Sequence, residues 1–173
     1  VKRNIAFLFL IAAAVGAGCN KDPNPPSAAA GTVAEAASAA PVNLPAEIAR
    51  AKSENKLLLL EFGSSDSCPP CILFQQEVFS KPEFLAYEKS NLVFVRLDFP
   101  QRTPLPPDIQ ATNILLAQQF EAFAFPTFVA LDHDGKEFWR SPEKDNPNPA
   151  IATALFDPKN FIALLESVRA KQK

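Results

Sequence analysis

Two cysteines three residues apart, Cys68 and Cys71, enclose a Pro-Pro dipeptide. On a helix, positions i and i+3 face the same side, which brings the two sulfurs within bonding reach. A thiol at a helix start meets unpaired N–H groups and the positive end of the dipole, which lower its pKa and populate the thiolate. Neither proline interrupts such a helix, because first-turn N–H groups have no intrahelical acceptor to lose. Cys68 is therefore expected to be the exposed nucleophile. Cys71, one turn in and on the face of Phe74 and Val78, is expected to be the buried resolving thiol. The chemistry would be exchange through a mixed disulfide: Cys68 attacks, then Cys71 attacks Cys68 and frees the reduced partner.

Other uses of a cysteine pair have to be weighed. A static disulfide is one, although a bridge closing so short a loop constrains the unfolded chain only weakly. A zinc site calls for about four ligands, and the chain offers three Cys and one His, His133, in a turn sequence. A copper(I) carrier favours soft thiolate and thioether ligands, and the chain has no Met. No metal and no separate cofactor is expected; the redox group is the Cys68–Cys71 disulfide itself.

The elements that must position this pair follow from periodicity. Ala46, Ile48, Ala49 and Ala51 indicate a short helix ending by Asn55. Residues 57–62 form an apolar run stopped by Gly63-Ser64-Ser65, the pattern of a strand buried on both faces. A helix is predicted from about Cys68 to Phe79. Ser80-Lys81-Pro82-Glu83 reads as a capping box that starts another helix through Tyr87. Residues 92–97 read as a second central strand, the prolines at 100, 104, 106 and 107 as a loop, and residues 108–121 as a helix. Strands over 127–131 and 136–139 flank the turn Asp132-His133-Asp134-Gly135, a hairpin. Asp157 and Pro158 read as N-cap and first residue of a last helix, whose stripe is Phe161, Leu164, Leu165 and Val168. Strands alternating with helices, then a hairpin, imply an α/β fold: a central mixed sheet of about four strands flanked by helices on both faces.

Two motifs carry a resemblance. Glu61-Phe62-Gly63-Ser64-Ser65-Asp66-Ser67-Cys68-Pro69-Pro70-Cys71, and Phe125-Pro126-Thr127-Phe128 before a strand, resemble the thioredoxin-like superfamily, especially its exported bacterial members. The resemblance covers about residues 44 to 171 and implies a thioredoxin fold. It implies that Pro126 is cis, as X-Pro bonds alone commonly are, and packs opposite the Cys pair. It also assigns Phe125 and Pro126, with Ser67, Pro69 and Pro70, to the groove that takes a substrate in extended form. Two departures stand out. Ser67 occupies the place where the family usually has Trp, so the aromatic lip of the groove is missing. Glu61 stands nearest to the place of the family's buried proton-transferring Asp, with one extra residue before the Cys. A carboxylate beside a buried thiol could take the proton of Cys71. Equally, Glu61 could point to solvent at the strand's end, since ionisable groups are rarely buried without a partner. Arg96 is a candidate partner on the neighbouring strand. Asp66 reads as a loop residue that would oppose the thiolate if close to it.

The third cysteine belongs to the N-terminus. Lys2 and Arg3 precede an apolar run over residues 5–15, and Gly16-Ala17-Gly18 leads into Cys19. This is the layout of a signal peptide, too short in its apolar part to span a bilayer as a finished helix. It resembles a bacterial lipobox, with Gly16 where Leu is preferred, and implies lipidation of Cys19; ordinary cleavage leaving a free thiol is the alternative. Val1 in place of Met reads as an alternative start codon on an unprocessed precursor. Residues 19–44, rich in Pro, Ala and Ser, read as a tether, with an Ala-rich helix packed on the domain as the other option. The expected organisation is thus a leader at 1–18, a lipidated tether at 19–44 and a thioredoxin-like domain at 45–173.

The 173-residue chain carries a net charge of −2, and loss of the leader takes Lys2 and Arg3 and leaves −4. Such a chain lacks the electrostatics for nucleic acid, while 47% hydrophobic residues allow one real core. The expectation is a membrane-tethered, periplasmic thiol–disulfide oxidoreductase that reduces protein disulfides. Its partners would be client proteins with disulfides or thiols and a membrane thiol reductase as electron donor. The competing reading is a non-catalytic, lipid-anchored binding module, or an oxidase or isomerase.

Overall fold

A computed structural model of the chain describes residues 40–142 and 153–172. The expected leader, Cys19 and nearly all of the expected tether lie outside the described residues. Within them the order is α1 (Leu44–Glu54), β1 (Leu57–Gly63), α2 (Pro69–Phe74), α3 (Pro82–Asn91), β2 (Leu92–Asp98), α4 (Pro107–Gln119), β3 (Thr127–Leu131), β4 (Glu137–Ser141) and α5 (Pro158–Arg169). Each of these five helices carries proline in its first turn. The missing N–H costs nothing there, and the fixed φ suits the first turn. Asp157 caps α5 as expected, its Oδ1 accepting the N–H groups of Lys159 at 2.9 Å and Asn160 at 3.1 Å.

The strands form one mixed sheet in the order β2-β1-β3-β4. β1 runs parallel to β2 and antiparallel to β3, and β3–β4 is the predicted hairpin. All seven residues of β1 and all five of β3 are buried, because both strands have a neighbour on each side and helices above and below. Leu58, Leu60 and Phe62 face a core shared with α1 and α4, where Leu116 and Phe120 pack. Leu57 and Leu59 face the opposite core, under α2, α3 and α5, with Phe74, Phe79, Phe84, Phe128 and Phe161. Burying each such side chain contributes about 1.5–3 kcal/mol, so the sheet's two faces hold the helices that flank the Cys pair.

Three sequence expectations change. The helix predicted to run unbroken to Phe79 gives way after Phe74 to a π-helical turn over Gln75–Phe79. Its wider turn is closed by the Ser80 N–H on the Gln75 carbonyl, five residues back, at 3.1 Å. The capping box at Ser80 does not form. Lys81 is the N-cap of α3 and its side chain makes no capping bond, and the Ser80 hydroxyl instead donates backwards to the Gln76 carbonyl at 2.9 Å. Helix α3 also continues past Tyr87 to Asn91, directly into β2. In each case the preceding turn or the following strand competes for groups that a local pattern assigns elsewhere.

Register sets the site. Gly63 pairs with Asp98 at the C-terminal ends of β1 and β2, and Phe62 pairs with Thr127 at the start of β3. The segments after β1, after β2 and before β3 therefore meet at one end of the sheet. They carry the Cys pair, the proline-rich loop and Pro126 respectively.

Candidate active site

Cys68 and Cys71 are joined in a disulfide with Cα atoms 5.2 Å apart. Cys68 is the N-cap of α2, and its sulfur accepts the Cys71 N–H at 3.2 Å. An anionic sulfur in this place would be held by that N–H and by the helix dipole. Pro69 and Pro70 occupy the first turn. Cys68 retains 7% of its surface and Cys71 3%. Cys71 is buried as expected, whereas Cys68 is not exposed in the oxidised pair, because its sulfur bonds Cys71 and accepts its amide. Below the pair, Phe74 stacks into a ring cluster with Phe79, Phe128, Phe156 and Phe161, which fixes α2 on the sheet.

Glu61 is buried, with 3% of its side chain exposed, and lies on the face of the sheet beneath α2. It sits opposite Arg96 in the β1–β2 register, and Oε2 accepts the Arg96 Nε–H at 2.8 Å. Arg96 Nη1 donates to Gln75 Oε1 in the π turn, and its guanidinium lies 5.1 Å from the centre of the Phe79 ring. The partner that a buried carboxylate requires is thus supplied by the adjacent strand. Burial pushes the Glu61 carboxyl above the usual range, against the opposing pull of Arg96.

Gly63 separates this carboxylate from the disulfide. A Cβ there would lie 2.5 Å from Glu61 Oε1 and 3.3 Å from Cys71 Sγ. The oxygen and the sulfur are therefore within ~6 Å of each other, close enough for each to shift the other's titration. A cleft of about 870 Å³ reaches both groups, lined among others by Glu61, Gly63, Cys71, Gln75 and Arg96. It gives the carboxylate and the inner sulfur a route to water.

The approach to Cys68 is built from small polar residues. Ser67, in the place of the absent aromatic, has its hydroxyl 2.6 Å from that of buried Ser64. Asp66 accepts the backbone N–H groups of Gln101, Arg102 and Thr103 at 2.8, 2.8 and 3.2 Å. The Gln101 amide foremost holds its carboxyl below the usual range. Asp98 reciprocates, accepting the Ser65 N–H at 2.8 Å and the Ser65 hydroxyl at 2.7 Å. The sequence by itself reads Asp66 as a loop residue that would oppose a nearby thiolate, and Asp98 carries no local motif. Both bond to groups more than thirty residues away, so no local pattern singles them out.

The Phe125–Pro126 peptide bond is cis. Thr127 anchors the loop, its hydroxyl donating to the Ala124 carbonyl at 2.7 Å. The Phe125 ring stacks on Phe99, with centroids 5.1 Å apart and planes 24° from parallel. Phe123, two residues before Phe125, is 74% exposed. The sheet end thus has aromatic surface of its own, from residues that no local motif singles out. Among the described residues no group of three or more His, Cys, Asp or Glu side chains could hold a metal ion. No helix among them is long and apolar enough to cross a membrane.

A family model, the thioredoxin-like domain, matches residues 44–142, from α1 through the hairpin. The chain belongs to the thioredoxin-like family. Within curated members of that family, it is 33% identical over 89 residues to the disulfide bond reductase DsbH of Chlamydia pneumoniae, across 51% of this chain and 54% of that protein. It is 28% identical over 91 residues to the thioredoxin-related protein DsbJ of the same organism, across 53% of this chain and 26% of that one. The chain thus spans about half the length of the first of these relatives and a quarter of the second. A solved DsbH oxidoreductase superposes with a TM-score of 0.61 at 23% identity, over 90% of this chain and 96% of that one. The shared architecture is the thioredoxin fold.

Proposed function

We propose that this chain is a membrane-tethered, extracytoplasmic thiol–disulfide oxidoreductase that reduces protein disulfides. The observation that carries the reading is the Cys68–Cys71 disulfide at the start of α2, with the inner sulfur beside a buried carboxylate.

In the reduced protein, Cys68 is the thiolate. It attacks one sulfur of the client disulfide, forms a mixed disulfide and expels the other client sulfur, which takes a proton. Glu61 then accepts the proton of Cys71, whose thiolate attacks the Cys68 sulfur. The Cys68–Cys71 disulfide forms, and the second client sulfur leaves and is protonated. The client gains two electrons and two protons, and a dithiol donor must restore the protein; a membrane thiol reductase fits that role. Phe125 and Pro126, with Ser67, Pro69 and Pro70, form the groove for the client backbone. The name of the related disulfide bond reductase supports the reducing direction. The leader pattern ending at Cys19 supports lipidation and a periplasmic location.

Turnover of a model protein disulfide by wild type and Cys68→Ser tests the reading. Equal background rates for both would remove the enzyme and leave a binding module. Cys71→Ser is expected to accumulate mixed disulfides through Cys68. A Cys68–Cys71 potential near roughly −270 mV fits a reductase, and one near roughly −120 mV would turn the assignment to an oxidase. Radiolabelled fatty acid should enter wild type and not Cys19→Ser.

A further inference from the structure

The end of β1 and the end of β2 are tied by links that run in both directions. The Phe99 N–H donates to the Gly63 carbonyl at 2.9 Å. Asp98 holds Ser65 through its N–H and its hydroxyl. Asp66 reaches the other way and collects three consecutive N–H groups, from Gln101 to Thr103, with the Ser64 hydroxyl on Oδ1 at 3.3 Å. The charge that should oppose a thiolate two residues away is met by four donors instead.

The segment so held is short and stiff, bounded by Pro100 and Pro104. At its start Phe99 stacks on Phe125, the residue before Pro126. A continuous set of contacts therefore runs from the approach to Cys68, through residues 99–103, to the loop that carries Pro126.

We propose that Asp66 is a positioning residue, which sets the spacing between the Cys68 approach and the Phe125–Pro126 loop and so selects for protein disulfides over small ones. The inference rests on the oxidoreductase reading above. A small disulfide needs only to reach the Cys68 sulfur, after which Cys71 resolves the mixed disulfide. A protein disulfide also needs the two walls of the groove at the right separation, and that separation depends on the Asp66 clamp. An Asn at position 66 keeps one acceptor oxygen and turns an NH₂ group towards backbone N–H donors, so the clamp opens.

The experiment compares full-length wild type and Asp66→Asn in the reduction of insulin and of glutathione disulfide. The variant is expected to lose more on insulin than on glutathione disulfide, by about five-fold or more, with the loss in KM rather than kcat. Amide exchange should show Gln101, Arg102 and Thr103 deprotected while β1 keeps its protection. Parallel losses on both substrates, no loss on either, or unchanged protection at 101–103 would overturn the proposal. Phe99→Leu cuts the same set of contacts at its other end and should reproduce the selective loss, so a parallel loss in that variant also overturns it. A wild type that reduces neither substrate would instead sink the oxidoreductase reading.

Discussion

Glu61 and Arg96 stand directly opposite each other on parallel strands, and Glu61 Oε2 accepts the Arg96 Nε–H at 2.8 Å. The pair is asymmetric: the acid keeps 3% of its surface and the base 24%. The carboxylate is desolvated, while the partly exposed guanidinium also bonds Gln75 in the π turn and lies over the Phe79 ring. Oε1 is left on the side of Gly63 and Cys71. One oxygen is thus held by the base, and the other lies within ~6 Å of the inner sulfur.

Removing the acid should separate the two steps of exchange. Glu61→Gln is expected to slow resolution by Cys71 by roughly 10²-fold, the lower range for a positioned base, and to leave alkylation of Cys68 nearly unchanged. Rapid-quench single-turnover kinetics measure both. Wild-type resolution should rise with pH through the raised titration of Glu61, and the variant should lose that step. Unchanged resolution would take Glu61 out of the mechanism.

The same group makes stability depend on pH, with a definite sign. Burial raises the native carboxyl above its ordinary value near 4.5. Between that value and the raised one, the native state binds more protons than the unfolded chain. Stability therefore falls as pH rises through this window and is fully kept below it. Urea titrations at a series of pH values should show the fall in oxidised wild type and its absence in Glu61→Gln.

Breaking the pair from the other side should be costly. Arg96→Met leaves Glu61 buried with no counter-charge, a change expected to destabilise by about 3 kcal/mol, as for other buried pairs that lose one partner. Arg96→Lys keeps a charge but cannot bridge Glu61 and Gln75 with a planar fork, so its midpoint should lie between the two. Denaturation midpoints rank the three proteins; equal midpoints for Arg96→Met and wild type would refute the coupling.

Gly63 is held to its type by space. An Ala there would press on Glu61 Oε1 at 2.5 Å and on Cys71 Sγ at 3.3 Å. Because Arg96 restrains the carboxylate, relief requires rotating it away from the base or moving α2. Gly63→Ala is expected to lose roughly 1–3 kcal/mol, as overpacked sites do, and to slow resolution by Cys71. Thermal unfolding and single-turnover rates check the two effects together.

The parts legible in the sequence are those set by neighbours along the chain. The apolar run of β1, the hairpin, the Asp157 cap and the Cys pair at a helix start are local patterns, and the fold class follows from their order. Phe125-Pro126 was legible through its resemblance to a known motif. The failures have a common form. Ser80 looked like the cap of the following helix, yet its hydroxyl closes the preceding one. The helix after Cys71 looked continuous, yet it widens into a π turn, where Gln75 accepts a bond from Arg96.

By itself, then, the sequence determined the Cys68–Cys71 pair, the helix and strand order that presents it, and the two prolines that start its helix. Tertiary structure alone decided whether Glu61 would be buried or exposed, because that depends on a strand register placing Arg96 opposite it across 35 residues of chain. It also decided what Asp66 does, since three N–H groups from the end of another strand come to it only when the sheet is assembled. Local propensity acts over a few residues. Charges and hydrogen bonds act through space, and their partners exist only once the chain has folded.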